Sequence, residues 1–288
     1  MIQQSTPLKR FSKKPSSVLP GFKLTLTYTF ISLIVVVLVP LLALLVRAGS
    51  QPLESLLGAI FSERALHAYG VSLRCAFYAA VVNVFFGTGL AWVLVRYQFP
   101  GKRVIDALVD LPLALPTAVA GIALTTLYSA DGWLGQFLLP LGITVAYTPL
   151  GITVALMFVG IPFVVRTVQP VIQDLEYEVE DAAASLGAKP AQIFFRILLP
   201  QMGPAIVVGF AMAFARGVGE YGSVIFIAGN VPKVSEILPL LIVIKLEQFD
   251  YAGASALAAG MLVISFCLLL AMNYLQRSIH PSSAQKRV

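Results

Sequence analysis

Glu176–Pro200 reads EYEVEDAAASLGAKPAQIFFRILLP, and the rest of the chain is read around it. It lies between long apolar segments, yet it carries Glu176, Glu178, Glu180 and Asp181, with Asp174 just before. Leu175, Val179, Ala182 and Leu186 recur at helical spacing, so one helix face is apolar and the other acidic. The acids fall in the first turns, where the helix dipole favours negative charge. Gly187 is placed to end this helix in a left-handed conformation. Pro190 then opens a second short helix over Ala191–Leu199, which stops at Pro200. Helix, sharp turn and helix are too short and too charged to cross a bilayer.

The flanking sequence is of another kind. Of 288 residues, 58% are hydrophobic and 12% charged, and the mean hydropathy is +0.86. Soluble domains carry roughly 25% charged residues. The composition therefore describes an all-α polytopic membrane protein and excludes a soluble enzyme. Its net charge of +6 is no nucleic-acid signal, because the position of the charges matters more than their sum. Cys75 and Cys267 lie in apolar runs and read as small core residues. His67 and His280 have no neighbours in the sequence that would make a site. No GxxxxGK[ST] phosphate loop occurs, so any ATP would be hydrolysed by another chain, and no cofactor is expected.

Six spans are expected: Leu24–Val46, Tyr69–Val95, Val104–Tyr128, Ile143–Val165, Pro204–Ala228 and Ala252–Leu275. The first is too long for a signal peptide and is read as retained. Residues 1–23 form a basic arm and residues 276–288 a basic tail, both polar. The apolar run Ile237–Leu246 is too short to cross, so it reads as interfacial or re-entrant. With the N-terminus inside, inner segments hold fourteen Lys and Arg and outer segments four. That excess puts Glu176–Pro200 and both termini in the cytoplasm.

Charges fall inside three spans: Arg74 near one end of the second, Asp106 and Asp110 at the start of the third, and Arg216 with Glu220 in the fifth. Ala205, Gly209, Ala213 and Gly217 form a stripe of small residues, which predicts close helix packing. Arg216 and Glu220 are four residues apart on another face. Arg216 lies twelve residues past Pro204, about 18 Å into the bilayer on a straight helix. One reading makes Arg216, Gly219 and Glu220 part of a translocation pathway, with Gly217, Gly219 and Gly222 breaking the helix to expose backbone N–H groups. The other makes Arg216–Glu220 a pair that only fixes packing.

Asp181-Ala182-Ala183, Gly187 and Ile197-Leu198-Leu199-Pro200 together resemble the EAA loop of ABC importer permeases, EAA-x3-G-x9-I-x-LP, with Asp181 in place of the leading Glu. The resemblance implies a MetI-like type I permease fold, with residues 24–275 as transmembrane domain and residues 176–200 as cytoplasmic coupling helices. It implies that Glu180, Asp181, Ala182, Ala183, Gly187, Ile197, Leu199 and Pro200 serve docking onto an ATPase. Arg216–Asn230, RGVGEYGSVIFIAGN, resembles a segment shared by sulfate and molybdate permeases. Lys245–Ala258 and Leu111–Leu124 are more similar to the T subunits of sulfate/thiosulfate permeases. The implied partners are a W-type second permease, a dimer of ATP-binding subunits and a periplasmic sulfate-binding protein, in a bacterial inner membrane. A molybdate or tungstate permease is the alternative within the family. A stand-alone secondary anion transporter, with the acidic loop as a regulatory surface, is the alternative outside it.

Overall fold

The computed structural model describes residues 22–279, and every regular element in it is a helix. The expected basic arm and tail lie outside the described residues except at their inner ends, as does His280. The chain divides into two compact units, residues 1–47 and 48–288. The first unit is built on α1 (Phe22–Gly49), which carries a π turn at Ile34–Leu38. None of the side chains of Phe22–Leu38 is buried. A helix apolar on all sides with nothing covering it has lipid as its solvent.

The second unit comprises α2 (Leu53–Ile60), α3 (Glu63–Arg96), α4 (Lys102–Ala114), α5 (Thr117–Tyr128), α6 (Pro149–Gln173), α7 (Tyr177–Ser185), α8 (Pro190–Val218), α9 (Val224–Ile227), α10 (Leu238–Glu247) and α11 (Tyr251–Ile279). Helices α1, α3, α6, α8 and α11 are long and apolar enough to span, and α4 with α5 make a sixth span if the pair counts as one.

Three expected spans differ in outline. The third is a pair bent by 111° rather than one helix. Pro116 drives Leu115 out of the helical region, to φ −79° and ψ 139°, and itself caps α5. The fourth begins at Pro149 rather than Ile143, because proline suits the first helical position and Thr148 provides the cap. The fifth begins far earlier than Pro204: α8 runs unbroken from Pro190 through Pro200 and Pro204. A π turn at Phe194–Leu198 widens the helix just before Pro200 and accommodates the donor that Pro200 lacks. The second short helix expected to stop at Pro200 is thus the first part of a membrane helix.

Helices α3, α6 and α8 pack on one another to form the core. Val164 of α6 is fully buried between two glycines. A Cβ on Gly87 would come within 2.9 Å of its Cβ, and one on Gly209 within 3.1 Å of its Cα. The expected stripe Ala205, Gly209, Ala213, Gly217 is buried throughout. Only small residues admit such an approach.

Polar side chains tie the periphery to this core. Arg166 of α6 donates to Asp110 (2.8 and 2.6 Å), to the Asp106 side chain (2.7 Å) and to the Asp106 carbonyl (2.8 Å), holding α4. Arg64 makes a two-point contact with Glu236 (2.8 and 2.6 Å), which is 1% exposed. The run read as interfacial or re-entrant is α10, ten residues long, with Leu238, Leu240 and Leu241 buried. It packs on α11 and α3, and its Leu238 N–H donates to Ser72 (2.9 Å). Asp250 caps α11 by accepting from Gly253 N (2.8 Å), and the Lys245 ammonium beside it holds its carboxyl below the usual range.

Gly209→Leu is expected to wedge α8 off α6, an overpacking that costs about 1–3 kcal/mol or more. Membrane abundance and the melting temperature in detergent should both fall. Gly89→Leu should leave both near normal, because no atom lies within 4 Å of a Cβ there.

Candidate functional site

The turn in Glu176–Pro200 is built from backbone outward. Leu186 caps α7, and Gly187 takes φ +84°. Gly187 N donates to Ala184 O (2.9 Å) and Ala188 N to Ala183 O (3.1 Å). This is a Schellman closure, which satisfies two carbonyls at the helix end and requires a left-handed residue at Gly187. Lys189 N then donates to the Gln192 side chain (2.8 Å), and Pro190 starts α8.

The amphipathic stripe faces away from the protein. Leu175 is buried, but Val179 and Ala182 are exposed and Leu186 is 90% exposed. Asp181, Gly187 and Pro200 are exposed beside them, and Ala183, Ile197 and Leu199 are half-buried. Glu180 is apart from this group. It turns inward to an ion pair with Arg96 at the end of α3, Nη2 to Oε1 2.6 Å.

Arg96 and Trp92 are the residues that sequence reasoning missed. The Arg96 guanidinium lies over the rings of Trp92 (5.0 Å) and Tyr177 (4.5 Å). Trp92 also meets Phe194 of α8 edge-on, centroids 5.4 Å apart. One turn of α3 is therefore held by both helices of the loop. The local signal was a Trp and an Arg four residues apart at a span end; their partners lie far along the chain.

The second candidate group closes the C-terminal end of α8. Because α8 starts at Pro190, Arg216 stands in its last turn, where the terminal carbonyls favour a cation. The 18 Å depth expected from a start at Pro204 does not apply. Arg216 pairs with Glu220 across the break at Gly219, and the Glu220 side chain is 2% exposed against 35% for Arg216. Glu220 Oε1 also accepts from Ser223 N and Ser223 Oγ, both 2.9 Å. The broken helix does not leave the Ser223 amide open, since this carboxylate satisfies it. Gly219 is exposed, while Gly222 packs against Thr117 at the start of α5.

Comparison with known proteins gives four findings. Residues 83–282 match the model of the family described as binding-protein-dependent transport system inner membrane component. A probable sulfate transport system permease protein cysT of Nephroselmis olivacea is 50% identical over 258 residues, covering 90% of this chain and 89% of that protein. The sulfate transport system permease protein CysT of Escherichia coli strain K12 is 45% identical over 266 residues, covering 92% and 96%. In structure, a chain of a bacterial ABC transporter that imports the acidic polysaccharide alginate superposes with a TM-score of 0.75 at 17% identity, covering 90% of this chain and 96% of that one.

Gly187→Val should strain the turn by about 1–3 kcal/mol, because a β-branched residue resists φ +84°. Limited proteolysis should speed up between Glu176 and Ile193, while the melting temperature of the bundle holds. Gly187→Asn, which tolerates the left-handed region, should restore most of the resistance.

Proposed function

The chain belongs to the binding-protein-dependent transport system inner membrane component family, and from its likeness to the sulfate permeases we propose that it carries sulfate or thiosulfate across a membrane by coupling a cytoplasmic ATPase to alternating access. It is a permease subunit of an ABC importer. In this reading ATP hydrolysis belongs to a separate pair of subunits, a second permease completes the pathway, and an external binding protein supplies the anion. The excess of Lys and Arg in the inner segments supports an orientation with both termini and the Glu176–Pro200 loop on the cytoplasmic side.

The observation that carries the proposal is the outward stripe Val179, Ala182, Leu186. A helix that points its apolar face into water, with acids Glu178 and Asp181 at its side, is poised to bury that face on another protein. Leu186 alone, fully buried by a partner, would contribute about 1.5–3 kcal/mol. Asp181, Ala182, Ala183, Gly187, Ile197, Leu199 and Pro200 would present or support this face. Glu180 has a different proposed role, as the inner anchor on Arg96.

Movement at the loop has two direct routes into the core. One is the Arg96–Glu180 and Trp92–Phe194 contact with α3. The other is α8 itself, which begins inside the loop and runs about 43 Å at ~1.5 Å per residue to the break at Gly219. A tilt imposed at Pro190 reaches the Arg216–Glu220 end without a joint. We take that end as the element whose opening admits the anion.

In the reconstituted transporter, labelled sulfate should be taken up with ATP, and molybdate at equal low concentration should compete poorly. Faster entry of molybdate than of sulfate would move the chain to the other cargo. Leu186→Asp should weaken ATPase association about tenfold or more, since ~1.4 kcal/mol is a factor of ten. Its abundance should stay normal, because the side chain is 90% exposed.

The pair at the end of α8 has its own test. Arg216→Met or Glu220→Gln alone strands a charge in a poor solvent and should lower abundance, by about 3–5 kcal/mol where burial is complete. The double variant should recover abundance but not sulfate flux. Near-normal uptake by the double variant would leave Arg216 with a packing role only.

A further inference from the structure

We propose that Arg74, with His67 and Lys233, forms an anion-binding subsite at the outer mouth of the permease that receives a tetrahedral oxyanion before it enters the pathway. An open cavity of about 680 Å³ lies between the first turns of α3, the start of α6 and the segment before α10. His67, Arg74 and Lys233 line it, with Tyr78 and Thr153 as hydroxyl groups. His67, Gly70, Arg74 and Tyr78 follow one another at three- and four-residue steps, so one face of α3 supplies a whole wall.

Arg74 differs from three other arginines of these helices. Arg96, Arg166 and Arg216 each have a carboxylate. Arg74 is exposed and makes no hydrogen bond or ion pair among the described residues. Its neighbours at three and four residues are Gly70, Val71, Phe77 and Tyr78, which offer no acid. Lys233 is held near the cavity by Glu63, Nζ to Oε1 2.8 Å. The start of α6 adds the positive end of a long helix dipole.

Depth places the cavity at an entrance. Arg74 stands twenty-two residues before Arg96, about 33 Å along a helix. With Arg96 at the cytoplasmic edge, Arg74 reaches the outer edge of a ~30 Å hydrocarbon layer. A dianion leaving water there needs fixed donors to replace its hydration. An unpaired guanidinium, with its planar fork of N–H groups, matches an oxyanion in charge and shape. The inference rests on the proposed orientation and cargo class, but the site itself is a property of charge and geometry.

The test uses the complete transporter in liposomes, with Cys75→Ser, Cys267→Ser and a reporter at Thr153→Cys; Val234→Cys serves as a second reporter. External thiosulfonate reagents, one anionic and one cationic, are compared after normalising to a free thiol. The anionic reagent should react about fivefold faster, the size of effect that a focused positive potential produces. Arg74→Gln should bring the ratio close to one, Arg74→Lys should keep it, and millimolar sulfate should slow labelling while gluconate does not. ATP-driven uptake by Arg74→Gln should fall about tenfold at normal abundance, as when a charged hydrogen-bond partner is lost.

A reagent ratio that ignores Arg74, or labelling that no oxyanion slows, overturns the inference whatever the cargo. If molybdate protects and sulfate does not, the subsite stands and the sulfate reading fails. Phosphatidylcholine liposomes, with and without phosphatidylglycerol, separate free anion from lipid phosphate. Protection by the added lipid and none by sulfate also overturns the inference.

Discussion

The contact of Val164 with Gly87 and Gly209 sets the spacing on which everything else depends. Lipid tails give apolar helices no reason to leave them for one another, so a membrane bundle needs close packing instead. Two absent side chains bring α3 and α8 onto either side of α6. That places the end of α3 beneath the loop that α8 emerges from, so Trp92 can meet Phe194 and Arg96 can meet Glu180. The geometry of these loop contacts follows from a packing constraint met midway along the helices.

The second constraint is that buried polar groups need partners, and here the carboxylates fill that need. Glu236 accepts both arms of Arg64 near α10. Glu220 accepts from Ser223 and pairs with Arg216 where α8 breaks. Half-buried Arg166, between α4 and α6, donates to Asp106, Asp110 and Gln169. Each sits where a helix ends, or where two helices must be held despite a bend. A backbone break at membrane depth is tolerated when a side chain takes over the lost bonds. These carboxylates are therefore joints as well as charges, and a joint made of an ion pair can open when a partner charge arrives.

Local chemistry was legible in the sequence, and long-range geometry was not. Gly187 in a left-handed turn, the buried stripe Ala205–Gly217 and the amphipathic α7 all follow from residue type and period. The direction in which α7 faces does not. Period tells that Val179, Ala182 and Leu186 share a side, but only the packing of Leu175 and Arg96 decides that this side looks outward. Prolines misled in both directions. Pro116 breaks a span expected to be whole, while Pro200 and Pro204 lie inside a helix expected to end at the first of them. The difference lies in neighbours: a π turn absorbs the missing donors at Pro200, and nothing comparable precedes Pro116.

Arg74 and Arg216 show where a sequence stops being informative about charge. Both lie in apolar helices, and both look costly to place in lipid. Arg216 has Glu220 four residues on and finds it, even though the helix ends between them. Arg74 has no acid within a turn, and that much could be read from the chain. An acceptor from elsewhere could still have reached it, as Asp106 and Asp110 reach Arg166 across α4 and α6. Among the described residues no such acceptor reaches it, and Glu63 and Glu236 pair with Lys233 and Arg64. A cation left without an acid in an open cavity keeps its hydrogen bonds for a partner that the chain itself does not supply.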